Sequence, residues 1–310
     1  MLAVLTGGTG GAKLVQGLSL EMDPGDLLII CNTADDFLFY GLQISPDLDT
    51  ITYTLAGVGD TERGWGIRDD TFTVLEWLAR YGGESWFKLG DRDLATHVTR
   101  SALLREGLSL SEATERIRRA LGVRAEILPM SNDRIETRIV TPHGEISFQE
   151  YFVRDRWLDE VKGVRFAGVE RSRPAPGVVD GIRRATAVIL CPSNPVTSIG
   201  PILAVPGLRA ALREARGPIL AVSPVVGGAA VSGPAGKLMA AVGLEVSPFG
   251  VAKAYAEFLD TILVASEDRE FGPRIQELGV KAVAASILMR SLDDKRQLAR
   301  ELLALIGPVC

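Results

Sequence analysis

Four glycines in five positions, Gly7, Gly8, Gly10 and Gly11, follow a short apolar run and precede a lysine in "LTGGTGGAKL". Glycines at a strand end let backbone N–H groups turn toward an anion, and a following helix adds the partial positive charge of its N-terminus. Lys13 would add a full charge. The loop misses both common nucleotide fingerprints. A Walker loop ends in Gly-Lys-Ser/Thr, where this chain has Ala12, Lys13 and Leu14. A dinucleotide loop reads G-x-G-x-x-G. Gly8 and Gly10 supply the first pair, but Lys13 takes the place of the third glycine. A tight strand-to-helix turn without a ligand is the plainer reading, though it needs fewer glycines.

Acidic groups recur at chosen places. "NTADD", Asn32 to Asp36, follows a second apolar run. In open α/β sheets the ligand crevice lies outside the carboxyl ends of the strands, so Asp35 and Asp36 would face the crevice of the glycine loop. One would suit a ribose hydroxyl, or both a cation; a solvated acidic turn is the alternative. In "SPDLDT", Asp47 and Asp49 lie two apart, and an extended segment would point both to one side, around a cation. The same residues equally open a helix, because Asp and Thr precede "ITYTLAG". "KLGDRDLATH" runs from Lys88 to His97. A helix starting near Asp91 makes Asp93 and His97 neighbours, in a site or in a surface salt-bridge cluster. Two long neutral loops, "PSNPVTSIGP" and "SPVVGGAAVSGPAGK", follow later apolar runs. Each suits hydrogen bonding to phosphate or a base, or is simply a connection.

Composition narrows the chemistry. The hydrophobic share of 46% and charged share of 24% are those of a globular protein, and a net charge of -5 argues against a broad nucleic-acid surface. Cys31, Cys191 and Cys310 are far apart and form no C-x-x-C pair, so neither a disulfide framework nor a zinc site is expected, and a cytoplasmic setting is. His97 and His143 are the only histidines, which excludes a His-rich metal site and points any metal to oxygen ligands, magnesium or calcium. The first apolar run, Met1 to Leu5, is too short for a signal peptide. The uncharged stretches 185–208 and 217–236 are broken by Pro, Gly, Ser, Asn or Thr, so we read buried strands followed by loops rather than membrane spans.

The elements that must position these groups are legible in outline. "LAVL", "DLLIIC", "AVILC", "PILAVS", "DTILVA" and "VKAVAA" are short apolar runs of the buried parallel-strand kind, separated by helical patterns. They predict an α/β fold, a Rossmann-like doubly wound and mostly parallel sheet, with residues 1–310 as a single nucleotide-binding unit. "SLSEATERIRRALG" carries a capping box, Ser109 with Glu112, and "DDKRQLARELLALI" predicts a last helix. "AEILPM", "ETRIVT" and "EISFQEYFV" alternate like strands, with "PHG" as a turn, so roughly 85–175 is expected to be an inserted α+β subdomain.

Together, "GGTGGAKL", "NTADD", "SPDLDT", "GWGIRDDTF", "LGDRDLATH", "ILPMSND", "FQEYFVR", "PSNPVTSIGPIL" and "VSGPAGKLM" closely resemble the 2-phospho-L-lactate transferase family of deazaflavin coenzyme F-420 biosynthesis, with its phosphoenolpyruvate-using bacterial relatives. Nine motifs in family order are far more specific than one glycine loop. The resemblance implies a cytoplasmic enzyme, a homodimer, with no nucleic-acid or membrane partner. It implies a donor in which a three-carbon acid is linked to guanosine diphosphate. The donor's phospho-acid passes to the ribityl hydroxyl of the deazaflavin alcohol Fo, and GMP leaves, with Mg2+ as cofactor.

Site roles follow from the same resemblance. Gly8, Thr9, Gly10, Gly11, Lys13, Asn32, Ser193, Asn194, Thr197 and Ser198 would bind the nucleotide part. Asp35, Asp36 and Asp49 would hold the metal, with Asp36 and Asp49 catalytic. Asp49, Lys88, Asp91 and His97 would face the deazaflavin. Two competing readings remain. A non-enzymatic regulator of the gluconeogenesis-factor type shares the glycine loop, but "LGDRDLATH" and "SPDLDT" favour the transferase. A dinucleotide-dependent oxidoreductase is opposed by the missing third glycine.

Overall fold

The computed structural model describes residues 1–307, so Cys310 lies outside the described residues. Seven strands form one parallel sheet: β1 (Leu2–Thr6), β2 (Leu27–Cys31), β3 (Glu126–Pro129), β4 (Ala187–Leu190), β5 (Ile219–Val222), β6 (Thr261–Ala265) and β7 (Lys281–Ala285). Their spatial order is β7-β6-β5-β4-β1-β2-β3. β1 lies between β2 and β4, with Leu5 opposite both Ile30 and Leu190. The chain therefore winds outward in two directions from β1, and the boundary between β1 and β4 is the topological switch point where such sheets bind ligands.

Apolar residues on both faces explain why these runs fold as central strands. Ala3, Leu5, Leu28, Ile30, Val188 and Leu190 belong to one core; Leu2, Val4, Leu27, Ile29, Ala187 and Ile189 belong to the other. Alternate residues point to opposite faces, so a continuous apolar run feeds both layers. Burying each of the leucine, isoleucine and valine side chains stabilises the fold by about 1.5–3 kcal/mol before chain entropy is counted.

Five α-helices lie between β1 and β3 in the chain: α1 (Gly8–Glu21), α2 (Pro46–Leu55), α3 (Thr73–Arg80), α4 (Asp91–Arg105) and α5 (Leu110–Ala120). The capping box forms on α5, where Ser109 Oγ accepts from Glu112 N and Glu112 accepts from Ser109 N. A closing helix, Leu292–Ile306, lies against α1. No helix among the described residues is long and apolar enough to cross a membrane.

Several expectations change. Residues 85–175 do not stand apart from the sheet: they contain β3, which pairs with β2 as the edge strand. Their remaining strands, Glu136–Thr141, Gly144–Ser147 and Gly163–Ala167, form a separate antiparallel sheet in which Thr141 and Gly144 close the "PHG" turn. "EYFV" is not strand. Glu150–Arg154 is a π-helical turn, held by Glu150, which accepts from Ser147 N and Oγ. α1 starts at Gly8 rather than after the glycines, and α2 starts at Pro46, so Asp47 and Asp49 sit on a helix and not on an extended segment.

Candidate functional site

The carboxyl ends of β1 and β4 open into a cavity of about 530 Å³. Its floor is the first turn of α1 and the loop after β4: Gly7, Gly8, Thr9, Gly10 and Lys13 meet Pro192, Ser193, Asn194, Thr197 and Ser198. Ser193 ties the two together, because its Oγ donates to Gly7 O (2.7 Å) and accepts from Gly7 N (3.3 Å). Asn194 Oδ1 accepts from Val196 N and Thr197 N and so shapes its own loop. The N–H groups of Thr9 and Gly10 have no acceptor among the described residues, as expected for the first turn of a helix, and they border the cavity. With Lys13 beside them they form an anion cradle.

Two of the glycines are dictated by close approach. A Cβ on Gly10 would stand 2.7 Å from Pro192 O, and one on Gly11 would overlap Thr6 Oγ1. Gly11 is buried, packs beneath the cradle against Thr6 and Ser193, and does not line the cavity. Gly10→Ala should therefore push α1 from the β4 loop and, where the cradle takes the guanosine diphosphate that the resemblance implies, weaken its binding several-fold with little loss of melting temperature. Unchanged affinity in a titration would show the contact to be slack.

The acidic groups separate sharply. Asn32 is fully buried, and its Nδ2 donates to Asp35 Oδ2 (3.1 Å), Asp47 Oδ2 (2.9 Å) and Thr197 O (3.3 Å). It does not line the cavity, and its hydrogen bonds brace Asp35, Asp47 and the loop after β4. Asp47 Oδ1 accepts from Gly8 N at 2.7 Å and fixes the start of α1. Asp35 and Asp47 both line the cavity. Burial pushes the Asp35 carboxyl well above the usual range, with Asp47 adding to the effect, and burial also raises Asp47. Asp36 is a correction: it is turned out of the cavity, where it accepts from Ser45 Oγ (2.5 Å) and Gln43 Nε2 (3.2 Å). The hairpin Phe37–Phe39/Leu42–Ile44 starts directly after it and carries its side chain away.

A buried polar network forms the opposite wall. Arg100 pairs with Asp49 through both guanidinium nitrogens, NH1 at 3.1 Å. His97 lies between two carboxylates, with Nδ1 3.6 Å from Asp49 and Nε2 3.2 Å from Asp93. Tyr53 OH donates to Asp93 at 2.8 Å. The helical spacing expected of Asp93 and His97 is present on α4. Candidate ligand atoms of Asp49, Asp93 and His97 lie within 4.8 Å of one another, yet Arg100 already neutralises Asp49 and Tyr53 already engages Asp93. Asp49 is thus a weaker metal ligand than its motif suggests.

Lys88 and His97 line this wall, and Asp91 does not. Asp91 accepts from Thr71 Oγ1, Thr73 N and Val74 N and caps α3. Asp70 in turn accepts from Arg92 N and Asp93 N and caps α4. "GWGIRDDTF" thereby aims α4, while its Trp65 and Gly66 reach the cavity.

Arg100, Tyr53, Trp65, Phe87, Phe148 and Phe152 were missed at the sequence level. Arg100 did leave a signal, since 93, 97 and 100 share one helix face. The aromatics left none: Phe148 and Phe152, four apart, stack at 5.4 Å and 5° across the helical turn that stands where a strand was expected.

The comparisons agree with this geometry. The family model described as 2-phospho-L-lactate transferase CofD matches residues 2–288. A 2-phospho-L-lactate transferase of Methanosarcina acetivorans is 43% identical over 309 residues, covering 100% of each chain. A phosphoenolpyruvate transferase of Streptomyces griseus is 44% identical, covering 99% of each. A crystal structure of a UPF0052-family protein from Bacillus halodurans shares the fold, with a TM-score of 0.60 at 17% identity over 92% of this chain and 87% of that one. With a match over nearly its whole length, and with the family's motifs meeting at the switch point of the sheet, the chain belongs to the 2-phospho-L-lactate transferase CofD family and is a transferase.

Proposed function

We propose that this transferase moves a phospho-three-carbon-acid group from a guanosine diphosphate-linked donor to the ribityl hydroxyl of the deazaflavin alcohol Fo, releasing GMP. One observation carries the reading: the anion cradle of α1 and the Asp49–His97–Lys88 wall line a single cavity, so donor phosphates and an acceptor hydroxyl can meet there. Relatives named for phospholactate and for phosphoenolpyruvate match about equally well, so the proposal is for the acid as a class.

The hydroxyl oxygen attacks the phosphorus that carries the acid. The bond from that phosphorus to the GMP phosphate oxygen breaks, GMP leaves with that electron pair, and the hydroxyl proton passes to the Asp49 carboxylate and from there to solvent. The N–H groups of Thr9 and Gly10, with Lys13, hold the phosphate oxygens and neutralise charge as it shifts to GMP. Asp49 meets the hydroxyl, oriented by Arg100 and His97. Lys88 and Phe87 flank the deazaflavin, while Phe148, Phe152 and the 231–234 loop offer a flat apolar face to guanine. Mg2+ belongs to this reading. Asp35 and Asp47 suit it, because both are buried carboxylates at the cradle and Asp35 Oδ1 has no hydrogen-bond partner among the described residues. When bound, the ion would supply charge neutralisation to the phosphates. A homodimer is also part of the proposal and is checked by sedimentation.

The test is product mass: donor, Fo and magnesium with purified protein should yield GMP and the phosphodiester, and no GMP with any three-carbon donor would overturn the reading. The metal assignment has its own check. Raised carboxyl values in the folded state mean that ionised Asp35 and Asp47 destabilise the fold, and that this cost disappears as pH falls through the raised values toward the ordinary carboxylate range. Magnesium binds the ionised forms, so it should raise the melting temperature at a pH above the raised carboxyl values and lose that effect at a pH below them. An equal shift at both pH values would remove Asp35 and Asp47 as ligands.

A further inference from the structure

A second cavity of about 160 Å³ opens beside the first, sharing Thr9, Lys13, Thr50, Tyr53, Trp65 and Gly66 with it. Three cationic side chains line it: Lys13 on α1, Arg68 on the loop before α3, and Lys295 on the closing helix. Its one acidic side chain, Asp60, is already engaged, accepting from Glu62 N and Arg63 N and facing the Arg63 guanidinium at 3.5 Å. Arg68 is held in place by Gly57 O (3.0 Å), with the Asp60 carboxylate offsetting part of its charge, and Lys295 Nζ is held by Gln16 Oε1 (2.7 Å) with no carboxylate paired to it among the described residues, so the recess keeps an excess of positive charge. Lys295 is partly buried, which lowers its ammonium from the ordinary value, and the nearby Lys13 lowers it further. Lys295 is brought so close because Gly17 has no side chain: a Cβ there would overlap Lys295 O. None of the nine sequence motifs includes this helix.

An excess of positioned cations in a small recess next to a phosphate cradle calls for an anion that continues from the phosphates. The geometry points to this recess as the subsite for the carboxylate of the donor's three-carbon acid, bound by Lys295 with Arg68 and Lys13. The assignment rests on the transferase reading, which places the phosphates on α1. Size agrees: pockets for drug-sized ligands run to about 300–1,000 Å³, so guanosine or a deazaflavin is too large for this recess and a three-carbon acid is not. Chemistry agrees too, since the carboxylate is the only charged group of the donor beyond its phosphates.

The experiment compares Lys295→Gln and Arg68→Gln with the unchanged protein by calorimetric binding of three ligands. These are the guanosine diphosphate-linked acid, its carboxamide analogue and GDP. Each variant should bind the acid donor about tenfold more weakly, the loss expected for a hydrogen bond between charged groups, while GDP affinity and melting temperature hold. The carboxamide analogue should bind variant and unchanged protein alike. A parallel loss of GDP affinity would mean that α1 has moved and would overturn the subsite, as would an unchanged protein that does not distinguish acid from carboxamide. An unchanged protein that prefers the acid but releases no GMP would overturn the transferase reading and leave the subsite standing.

Discussion

Asp49→Asn is expected to remove measurable turnover and also to lower the unfolding free energy by about 3–5 kcal/mol. The stability loss is the part that only the three-dimensional structure suggests. Asp49 and Arg100 are both buried, and the guanidinium reaches the carboxylate with both terminal nitrogens. Removing the negative charge leaves the buried Arg100 without its paired carboxylate, with the Gln43 carbonyl and the His97 ring in contact and only the more distant Asp36 carboxylate to offset its charge. The double variant Asp49→Leu/Arg100→Met should recover most of the stability, because neither charge then remains, and none of the turnover. Denaturant melts and a GMP-release assay read the two effects separately. A single variant that melts like the unchanged protein would show the pair to be solvated. Turnover in the double variant would show that the Asp49 carboxylate is dispensable.

Asp47→Ala should reduce turnover by a factor of about 10² or more, the usual scale for losing one preorganised electrostatic contact. Asp47 joins two parts of the site: it accepts from Gly8 N at the start of α1 and from the Asn32 amide that also holds Asp35. Its removal leaves Gly8 N without its acceptor, while Asn32 Nδ2 keeps Asp35 and Thr197 O, at a cost of about 1–3 kcal/mol in stability. Asp47→Asn keeps an acceptor for Gly8 N and should restore most of that stability while remaining nearly inactive, because the charge is gone. Full activity of the Asn variant would exclude Asp47 from metal binding and from charge balance at the phosphates.

How much of this was legible beforehand depended on the range of the interaction. Asp93 and His97 are one helical turn apart, so spacing alone placed them together. The Ser109–Glu112 capping box was equally local. Asp47 and Asp49 were ambiguous because Pro46 suits a first helical turn while two-residue spacing suits a strand; the helix prevails and sends the two carboxylates to different partners, Gly8 and Arg100. Asp36 and Asp91 carried the right chemistry in the right motifs, yet the hairpin after Asp36 and the start of α3 beside Asp91 recruit them as structural acceptors.

The sequence by itself determined the parallel α/β core, the glycine-rich strand end, the oxygen-rich and histidine-poor donor set, and membership of one family, because each of these is written in residue type and short-range order. Only the tertiary structure decided which carboxylates face the cavity. That choice depends on contacts such as Ser193 with Gly7, 186 positions apart, and Arg100 with Asp49, 51 apart. It also depends on desolvation, which makes a carboxylate costly to bury unless a donor or a cation meets it. The same long-range packing brought Lys295, from a helix that no motif marks, to the edge of the phosphate cradle.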